Sequence, residues 1–231
     1  MKIALLGYGK MGQTIERLAK DRGHEIVYTI KEKIKNYDLS KVDVAIDFSV
    51  PDAAFENITT CFEQNIPVIS GTTGWLERYD EAVASCKEND GAFIYASNFS
   101  LGVNLFFELN KKLAEMMSSF PEYAIGIEEI HHTQKLDAPS GTAITLAEQI
   151  MENTDRKGWR LNRAEEGEIP IMAKRIENVP GTHVVSYKSP IDTLKIEHIA
   201  HSRDGFALGA IIAAEWIQNK KGVFSMKDVL F

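Results

Sequence analysis

The chain has 231 residues, 44% of them hydrophobic, and a formal net charge of −7. This length suits one large or two small globular domains, and acidity without a long Lys/Arg run argues against nucleic-acid binding. There is no apolar stretch of about 18 residues and no leader-like N-terminus, and the two cysteines, Cys61 and Cys86, fit neither a metal site nor a disulfide framework. We therefore expect a soluble cytoplasmic protein with reduced thiols and no membrane partner.

The first hundred residues alternate between short apolar runs and amphipathic segments. The apolar runs predict buried parallel strands, and Met11, Ile15 and Leu18 recur at helical spacing after the first of them. Such alternation is typical of βαβ units with right-handed crossovers. The predicted elements are strands 2–6, 25–30, 42–48, 66–70 and 92–96 and helices 11–20 and 51–65, with a further helix before the last strand. The sequence thus predicts a Rossmann-like parallel sheet domain.

The first predicted strand leads into a G-x-G-x-x-G pattern, formed by Gly7, Tyr8, Gly9, Lys10, Met11 and Gly12. The pattern is weak alone, but here it follows a strand and opens a helix, which is the context of a dinucleotide site. Gly7 suits a tight turn, Gly9 lets the backbone approach a pyrophosphate, and Gly12 lets helix and strand pack closely. We therefore expect a dinucleotide cofactor.

The end of the second predicted strand bears on the choice of cofactor. An NAD-preferring site usually has an acidic residue there, whereas this chain has Lys31 followed by Glu32. Lys31 could attract the 2′-phosphate of NADP or could be a solvated loop charge. The sequence favours NADPH and does not exclude NADH.

Loops after the later strands are expected to line the same cofactor site. Ligands of open α/β sheets bind outside the carboxyl ends of the strands. The segment 71–74 could also be a plain turn. The residues assigned to the cofactor from these loops are Phe48, Gly71, Thr72, Thr73, Ala96, Ser97, Asn98 and Phe99.

Beyond residue 98 the pattern changes. We predict helix 104–118, strand 123–130, a helix that begins at Ser140, strands 171–175, 181–189 and 192–200, and a last helix, 205–219, while the segment 152–168 shows no clean period. Strands that follow one another across turns indicate a mixed or antiparallel sheet. The sequence therefore predicts an inserted α+β substrate domain, 99–204, and a dinucleotide-binding domain, 1–98, completed by 205–231.

A loop rich in proton donors follows the strand 123–130. His131, His132 and Lys135 stand just before a helix N-terminus, where backbone N–H groups favour an anion and Ser140 is a natural N-cap. Histidine titrates near neutral pH. The pattern predicts Lys135 and one of the histidines as proton donors beside a carboxylate cradle made of Ser140, Gly141 and Thr142.

Other interpretations of this loop stay open. A histidine is often an ordinary polar residue and a lysine a solvated charge, and Asp137 could orient Lys135 or serve a turn. Zinc needs converging ligands, whereas adjacent side chains on extended backbone point to opposite faces. We therefore expect no metal.

The loop resembles the signature of a known family. The spacing His131-His132-x-x-Lys135-x-Asp-Ala-Pro-Ser-Gly-Thr-Ala looks like the motif of the 4-hydroxy-tetrahydrodipicolinate reductases, also called dihydrodipicolinate reductases. The segments 7–12, 71–74, 98–104 and 201–206 also lie where that family has them, so the resemblance covers essentially the whole chain. The histidine–lysine motif is highly specific, whereas the glycine loop is not.

The resemblance implies reduction of a hydroxylated cyclic imine dicarboxylate with NADPH or NADH, with loss of water, on the diaminopimelate route to lysine. His131 and Lys135 would be catalytic, and Arg203 and Phe206 would touch the dinucleotide. Family members are usually homotetramers built through the sheet of the substrate domain. Lys31 departs from the acidic residue common in the family, which puts NADH preference in doubt. Substrate contacts would come from His132, Lys135, Ser140, Gly141 and Thr142.

Two alternatives to this function remain. Another Rossmann dehydrogenase, acting on a small amino or keto acid such as aspartate or homoserine, would also carry the glycine loop. A dinucleotide-binding sensor without turnover would carry it too, but would leave His131 and Lys135 without a use.

Overall fold

The computed structural model describes residues 1–31 and 37–231. The chain forms two compact units: unit 1 consists of Met1–Leu101 and Asp204–Phe231, and unit 2 of Gly102–Arg203. The divisions predicted from the sequence fall after residues 98 and 204. The functions assigned there to the two parts stay predictions.

Unit 1 is built on a six-stranded sheet whose described strand pairs are all parallel. Numbered along the whole chain, its strands are β1 (Lys2–Leu6), β2 (Glu25–Ile30), β3 (Val44–Asp47), β4 (Val68–Ser70), β5 (Ala92–Tyr95) and β11 (Gly222–Phe224). Their order in the sheet is β11-β5-β4-β3-β1-β2. The inner strands are buried on both faces, which explains their unbroken apolar runs.

Helices cover both faces of this sheet. They are α1 (Lys10–Asp21), α2 (Pro51–Glu63), α3 (Tyr79–Glu88), α6 (Asp204–Trp216) and α7 (Met226–Leu230), with a 3₁₀ turn at Leu76–Arg78. Helix α6 lies against the segment that follows β5, because a Cβ on Gly209 would stand only 1.7 Å from the carbonyl oxygen of Phe99. The C-terminal segment thus belongs to the core of unit 1.

Unit 2 contains a five-stranded mixed sheet and two helices. Its elements are α4 (Leu101–Met117, whose first residue belongs to unit 1), β6 (Ala124–His131), α5 (Gly141–Met151), β7 (Gly158–Leu161), β8 (Glu168–Arg175), β9 (Gly181–Lys188) and β10 (Thr193–Ala200). The order is β10-β9-β6-β8-β7. Strand β6 pairs parallel with β8 and antiparallel with β9. The predicted fold class, a Rossmann-like parallel sheet with an inserted mixed-sheet part, is confirmed.

One face of the second sheet changes from apolar to polar along its strands. Ile127 and Val185 pack with α4 and α5 in the core, and the same face continues two residues further with Glu129 and His183, which pair across β6 and β9. His198 pairs with His183 from β10. A row of titratable side chains therefore borders the apolar core of unit 2.

Three short elements escaped the sequence analysis: β7, β11 and α7. The segment 152–168, which showed no clean period, contains β7. Both missed strands lie at sheet edges, where side chains are partly exposed and the hydrophobic pattern that predicts strands is weak. Their pairing with β8 and β5 supplies what the local sequence lacks.

Cys61 and Cys86 are buried and free, in keeping with the expected reduced thiols. Burial raises the pKa of both thiols. Among the described residues, no helix is both long and apolar enough to cross a bilayer.

Candidate functional sites

The glycine loop of unit 1 needs two of its three glycines for packing. Gly7 has a φ of +92°, and a Cβ there would lie 2.1 Å from the carbonyl oxygen of Phe48. A Cβ on Gly12 would lie 2.4 Å from the carbonyl oxygen of Gly7. Gly9, the N-cap of α1, faces open space. The protein itself therefore gives no steric reason for a glycine at position 9, whereas a ligand that approaches the backbone closely would.

Backbone hydrogen bonds hold the loops that follow β1, β3, β4 and β5 side by side. The amide of Phe48 donates to Leu6 at 2.8 Å, and the amide of Gly71 donates to Asp47 at 2.9 Å. The amide of Ala96 donates to Ser70 at 3.2 Å. The predicted cofactor loops thus meet along the carboxyl edge of the first sheet.

The carboxylate of Asp47 joins two of these loops from below. It is fully buried and accepts hydrogen bonds from the hydroxyls of Ser49 at 2.6 Å, Ser70 at 2.9 Å and Thr72 at 2.7 Å. Thr72 also accepts from the amide of Ser49 at 2.9 Å. Burial outweighs these hydrogen bonds and raises the pKa of Asp47. The buried hydroxyl of Thr72 is thereby engaged inside the protein.

Two aromatic rings pack at the same edge of the sheet. The rings of Phe48 and Phe99 meet edge to face at 5.9 Å, and a Cβ on Gly71 would lie 2.3 Å from the Phe48 ring. Thr73 and Ser97 are exposed, Ala96, Asn98 and Phe206 are half-buried, and Phe99 is buried. The predicted cofactor roles of these residues stay predictions.

Lys31 lies at the end of β2, beside the glycine loop. Its ammonium stands 5.8 Å from the centre of the Tyr8 ring, and the Tyr8 hydroxyl donates to Glu16, whose partner is Lys20 at 2.7 Å. Lys31 is exposed. Glu32, the alternative acidic residue, lies outside the described residues.

In unit 2 the fully buried carboxylate of Glu129 holds the loop between His131 and α5. One oxygen accepts from the amide of Ser140 at 2.9 Å, and the other accepts from the guanidinium of Arg175 at 3.2 Å. Arg175 in turn donates to the carbonyls of Lys135 at 3.2 Å and Asp137 at 2.6 Å. One carboxylate and one guanidinium thus fasten the middle and the end of the loop.

His131 is buried at the end of β6, one residue beyond the predicted strand. Its Nδ1 lies 3.6 Å from the Glu129 carboxylate, and its ring packs edge to face on His183 at 5.0 Å. The pKa of His131 is lowered, first by burial and then by the charges of Lys135 and Arg175, while Glu129 opposes this. His131 is therefore neutral at physiological pH and lies close to a carboxylate that favours its protonated form.

His183 on β9 is a neighbour that the sequence analysis did not identify. Its Nε2 lies 3.2 Å from the Ser140 hydroxyl and 3.9 Å from Glu129. Burial, together with the charge of His131, lowers the pKa of His183 to about 3. His183 is thus a neutral partner of the cap residue at physiological pH.

The predicted carboxylate cradle is only partly open. The Ser140 hydroxyl accepts from the amide of Ala143 at 3.3 Å, as an N-cap should, and the Ser140 amide is engaged by Glu129. The amides of Gly141 and Thr142 open the helix and have no intrahelical acceptor. Gly141 and Thr142 are the better-placed donors for an anion, and a substrate role for Ser140 stays a prediction.

Lys135 pairs with Asp137, which supports an orienting role for that carboxylate. Both carboxylate oxygens lie 2.8 Å from the ammonium, and this contact lowers the pKa of Asp137. The Lys135 side chain is 23% exposed, so its charge can reach a ligand.

His132 points away from this cluster into a cavity of about 500 Å³. Its Nε2 lies 3.5 Å from the guanidinium of Arg203, and Gln134 and Asn178 also line the cavity. Adjacent histidines thus face different surroundings. Arg203, predicted to touch the dinucleotide, lies in unit 2 beside a predicted substrate residue.

The cluster Glu129, His131 and His183 has the donor types of a metal site. Its three candidate ligand atoms lie within 4.8 Å of one another. Both oxygens of Glu129 already accept hydrogen bonds, however, and the positive charge of Arg175 beside them opposes a cation. The expectation of no metal stays a prediction.

Sequence reasoning missed Asp47, Glu129, Arg175 and His183 as parts of these sites. Glu129 lies two residues before His131 in the sequence, but no role was predicted for it. Arg175 and His183 are distant in sequence and meet the loop only through the pairing of β6 with β8 and β9, which no local pattern reveals.

Comparisons with known proteins agree with this architecture. The protein-family model described as "Dihydrodipicolinate reductase, N-terminus" matches residues 1–99 of the sequence. The family model described as "Dihydrodipicolinate reductase, C-terminus" matches residues 102–230. A 4-hydroxy-tetrahydrodipicolinate reductase from Christiangramia forsetii is 64% identical over 233 residues, covering 100% of this chain and 98% of the relative. One from Methanoregula boonei is 32% identical over 252 residues, covering 99% and 97%.

A solved structure has the same fold. The dipicolinate-bound dihydrodipicolinate reductase from Paenisporosarcina sp. TG-14 gives a TM-score of 0.78 at 24% identity, covering 100% of this chain and 99% of that one. The fold and the glycine loop define a Rossmann-type α/β protein with an inserted mixed-sheet domain. Within that class, the chain belongs to the dihydrodipicolinate reductase family.

Proposed function

We propose that this chain reduces 4-hydroxy-tetrahydrodipicolinate to tetrahydrodipicolinate, with NADPH or NADH as reductant, on the diaminopimelate route to lysine. One hydride and one proton are taken up and one water leaves. The family membership carries the proposal, since a relative of that name is 64% identical over the full chain. The buried imidazole of His131 and the ammonium of Lys135 are groups that can donate the proton.

Unit 1 fits a dinucleotide. Gly9 leaves open space at the N-terminus of α1, and the first turn of that helix has no acidic residue to repel a pyrophosphate. When bound, the reduced nicotinamide supplies a hydride to the cyclic substrate. The residues of this unit bind the dinucleotide and orient it.

Unit 2 fits a small cyclic dicarboxylate, and a dipicolinate-bound relative has the same fold. The amides of Gly141 and Thr142 and the ammonium of Lys135 are suited to substrate carboxylates. As negative charge develops in the ring, a proton donor stabilises the transition state more than the ground state. His131 fills that role, with Lys135 near the ring nitrogen or a carboxylate.

We also infer a preference for NADPH. Lys31 follows β2 at an exposed position, where a cation can pair with a 2′-phosphate. Changing Lys31 to Glu should lower kcat/KM for NADPH by about tenfold or more, because a charge-assisted hydrogen bond becomes a repulsion, and should leave NADH use nearly unchanged. The exposed Lys87 of α3, changed to Glu, is the charge-matched control. An equal loss with both cofactors would refute the preference.

We further propose a cytoplasmic homotetramer built through the sheet of unit 2. Within that unit, which is described in full, α4 and α5 pack on one face of the sheet, whereas Met172 and Ile199 on the other face are 41% and 50% exposed. Light scattering should give about four times the chain mass of 25.9 kDa. A mass of one chain at micromolar concentration would rule the tetramer out.

One coupled assay tests the activity. Pyruvate, aspartate semialdehyde and the upstream synthase generate the cyclic substrate, and NADPH and NADH oxidation are followed separately. We expect oxidation that requires the synthase. Reduction of NADP⁺ or NAD⁺ by aspartate or homoserine, or NADPH oxidation with aspartate semialdehyde alone, would favour another dehydrogenase. Tight NADPH binding without oxidation would favour a sensor.

A further inference from the structure

The buried carboxylate of Glu129 connects the proton donor to the anion cradle. It binds the amide of Ser140 at 2.9 Å and Arg175 at 3.2 Å, and it faces Nδ1 of His131 at 3.6 Å. We propose that Glu129 is a positioning residue that orients His131 and keeps it able to carry a proton. This inference rests on the proposed function for its catalytic meaning.

The imidazole of His131 lies between the carboxylate of Glu129 and the backbone of Gly181. Nδ1 faces the carboxylate of Glu129, while a Cβ on Gly181 would lie 3.2 Å from Nε2 and 3.3 Å from Cδ2. The hydrogen-bonding or ionic partner of one ring nitrogen decides which nitrogen exchanges its proton. Nδ1 is buried and has no hydrogen-bond partner among the described residues, so the Glu129 carboxylate at 3.6 Å acts on it as an ionic partner. We infer that the proton stays on Nδ1 and that Nε2 delivers one, with Gly181 leaving room beside it.

The charge of Glu129 also offsets the surroundings of His131. Burial and the positive charges of Lys135 and Arg175 lower the pKa of His131, and Glu129 is the larger of the two influences that raise it. Without this carboxylate, two cations and a buried site would oppose an imidazolium. Glu129 thus offsets part of the opposition of Arg175 and Lys135 to a protonated His131.

The test is Glu129→Gln, which keeps the shape and removes the charge. Nuclear magnetic resonance of labelled histidines in the ligand-free chain should show His131 titrating at lower pH than in the wild type. In the coupled assay, kcat should fall roughly 10- to 100-fold, by analogy with the loss seen when a carboxylate that orients a metal-bound histidine is removed, and the basic limb of its pH profile should move to lower pH. The dissociation constant for NADPH should not change.

The matched control is Glu128→Gln. Glu128 is the neighbouring residue on the other face of β6, 37% exposed and paired with Lys174 at 2.5 Å, so its loss should leave the His131 titration and kcat unchanged. Glu129→Asp retains the charge. His131 in this variant should therefore titrate closer to the wild-type pH than His131 in Glu129→Gln does.

The titration of the ligand-free chain separates this inference from the proposed function. A His131 titration that is identical in the wild type, Glu129→Gln and Glu129→Asp overturns the positioning role, whatever the turnover. If Glu129→Gln is poorly folded, Glu129→Asp and Glu128→Gln carry the comparison. Absence of reductase activity in the wild type, with His131 still responding to Glu129, refutes the proposed function alone.

Discussion

Each unit buries a carboxylate beneath its candidate ligand loops, and the two carboxylates differ in their partners. Asp47 accepts hydrogen bonds from the neutral hydroxyls of Ser49, Ser70 and Thr72. Glu129 faces the cation Arg175 and the titratable rings of His131 and His183. The first arrangement holds loops in place, and the second also sets where a proton can reside.

The difference matches the tasks proposed for the units. A dinucleotide site needs rigid loops and free backbone amides, and neutral donors provide rigidity without adding charge near a pyrophosphate. A proton donor needs a nearby charge that tunes its proton affinity. Removing the carboxylate of Asp47 should therefore weaken dinucleotide binding, and removing that of Glu129 should slow the chemistry.

The largest expected effect is that of His131→Gln. General acid catalysis contributes about 100- to 10,000-fold, or roughly 3–5 kcal/mol, so kcat in the coupled assay should fall by that order while NADPH affinity is kept. His24, paired with Glu215 in unit 1, provides the control variant His24→Gln, which should turn over normally. Normal turnover of His131→Gln would remove His131 from the chemistry.

The second expected effect is acid sensitivity of unit 2. The unfolded chain protonates His183 near its ordinary pKa of 6.5, whereas the folded chain does so only near a pKa of about 3, so this stability is lost as pH falls between those values. The loss at pH 5 relative to pH 8 is about 2 kcal/mol. His131 and His198, with pKa values also lowered by burial, add in the same direction.

Urea unfolding of the wild type and His183→Gln at pH 8 and pH 5 measures this effect. The variant should lose less stability than the wild type between the two pH values. Asp47 changes in the opposite sense, since a raised pKa lets the folded state take up its proton more readily as pH falls. Equal pH slopes for the two proteins would show that His183 is not the source.

The third effect is that of Asp47→Asn. An amide cannot accept from three hydroxyls as a carboxylate does, and each lost hydrogen bond costs about 1 kcal/mol. The variant should be less stable and bind NADPH more weakly, with an unchanged His131 titration. Asp43→Asn, at an exposed position in the same segment, is the control. A lower kcat with unaltered NADPH binding would reverse the assignment.

The smallest effect is that of Thr142→Ala. Loss of one substrate hydrogen bond of about 0.5–1 kcal/mol should raise the substrate KM roughly 2- to 5-fold. Dinucleotide affinity should not change, because Thr142 lies in unit 2. A large loss of dinucleotide affinity would instead assign the start of α5 to the cofactor.

The sequence predicted the architecture well where the pattern was strong. The buried parallel strands of unit 1 and the N-cap at Ser140 were predictable because apolar runs and capping chemistry are local. The edge strands β7 and β11 were not, because partly exposed strands of three or four residues leave no period to detect.

The candidate site was predictable only in its linear part. His131, Lys135 and the start of α5 stand in one motif, whereas Arg175 and His183 reach the loop through strand register. In the sequence, Asp47 is one more residue of a buried strand, and its role depends on the hydroxyls of Ser70 and Thr72, which only the folded sheet brings to it. Pairing across a sheet is a tertiary property.

The contrast between the two carboxylates is tested most directly by NADPH titrations of Asp47→Asn and Glu129→Gln at saturating cyclic substrate. Circular dichroism at the assay temperature first verifies that both variants are folded. We expect a raised NADPH KM with kcat retained for Asp47→Asn, and a lowered kcat with NADPH KM retained for Glu129→Gln. If both variants change the same parameter, the two carboxylates do not have the separate tasks described.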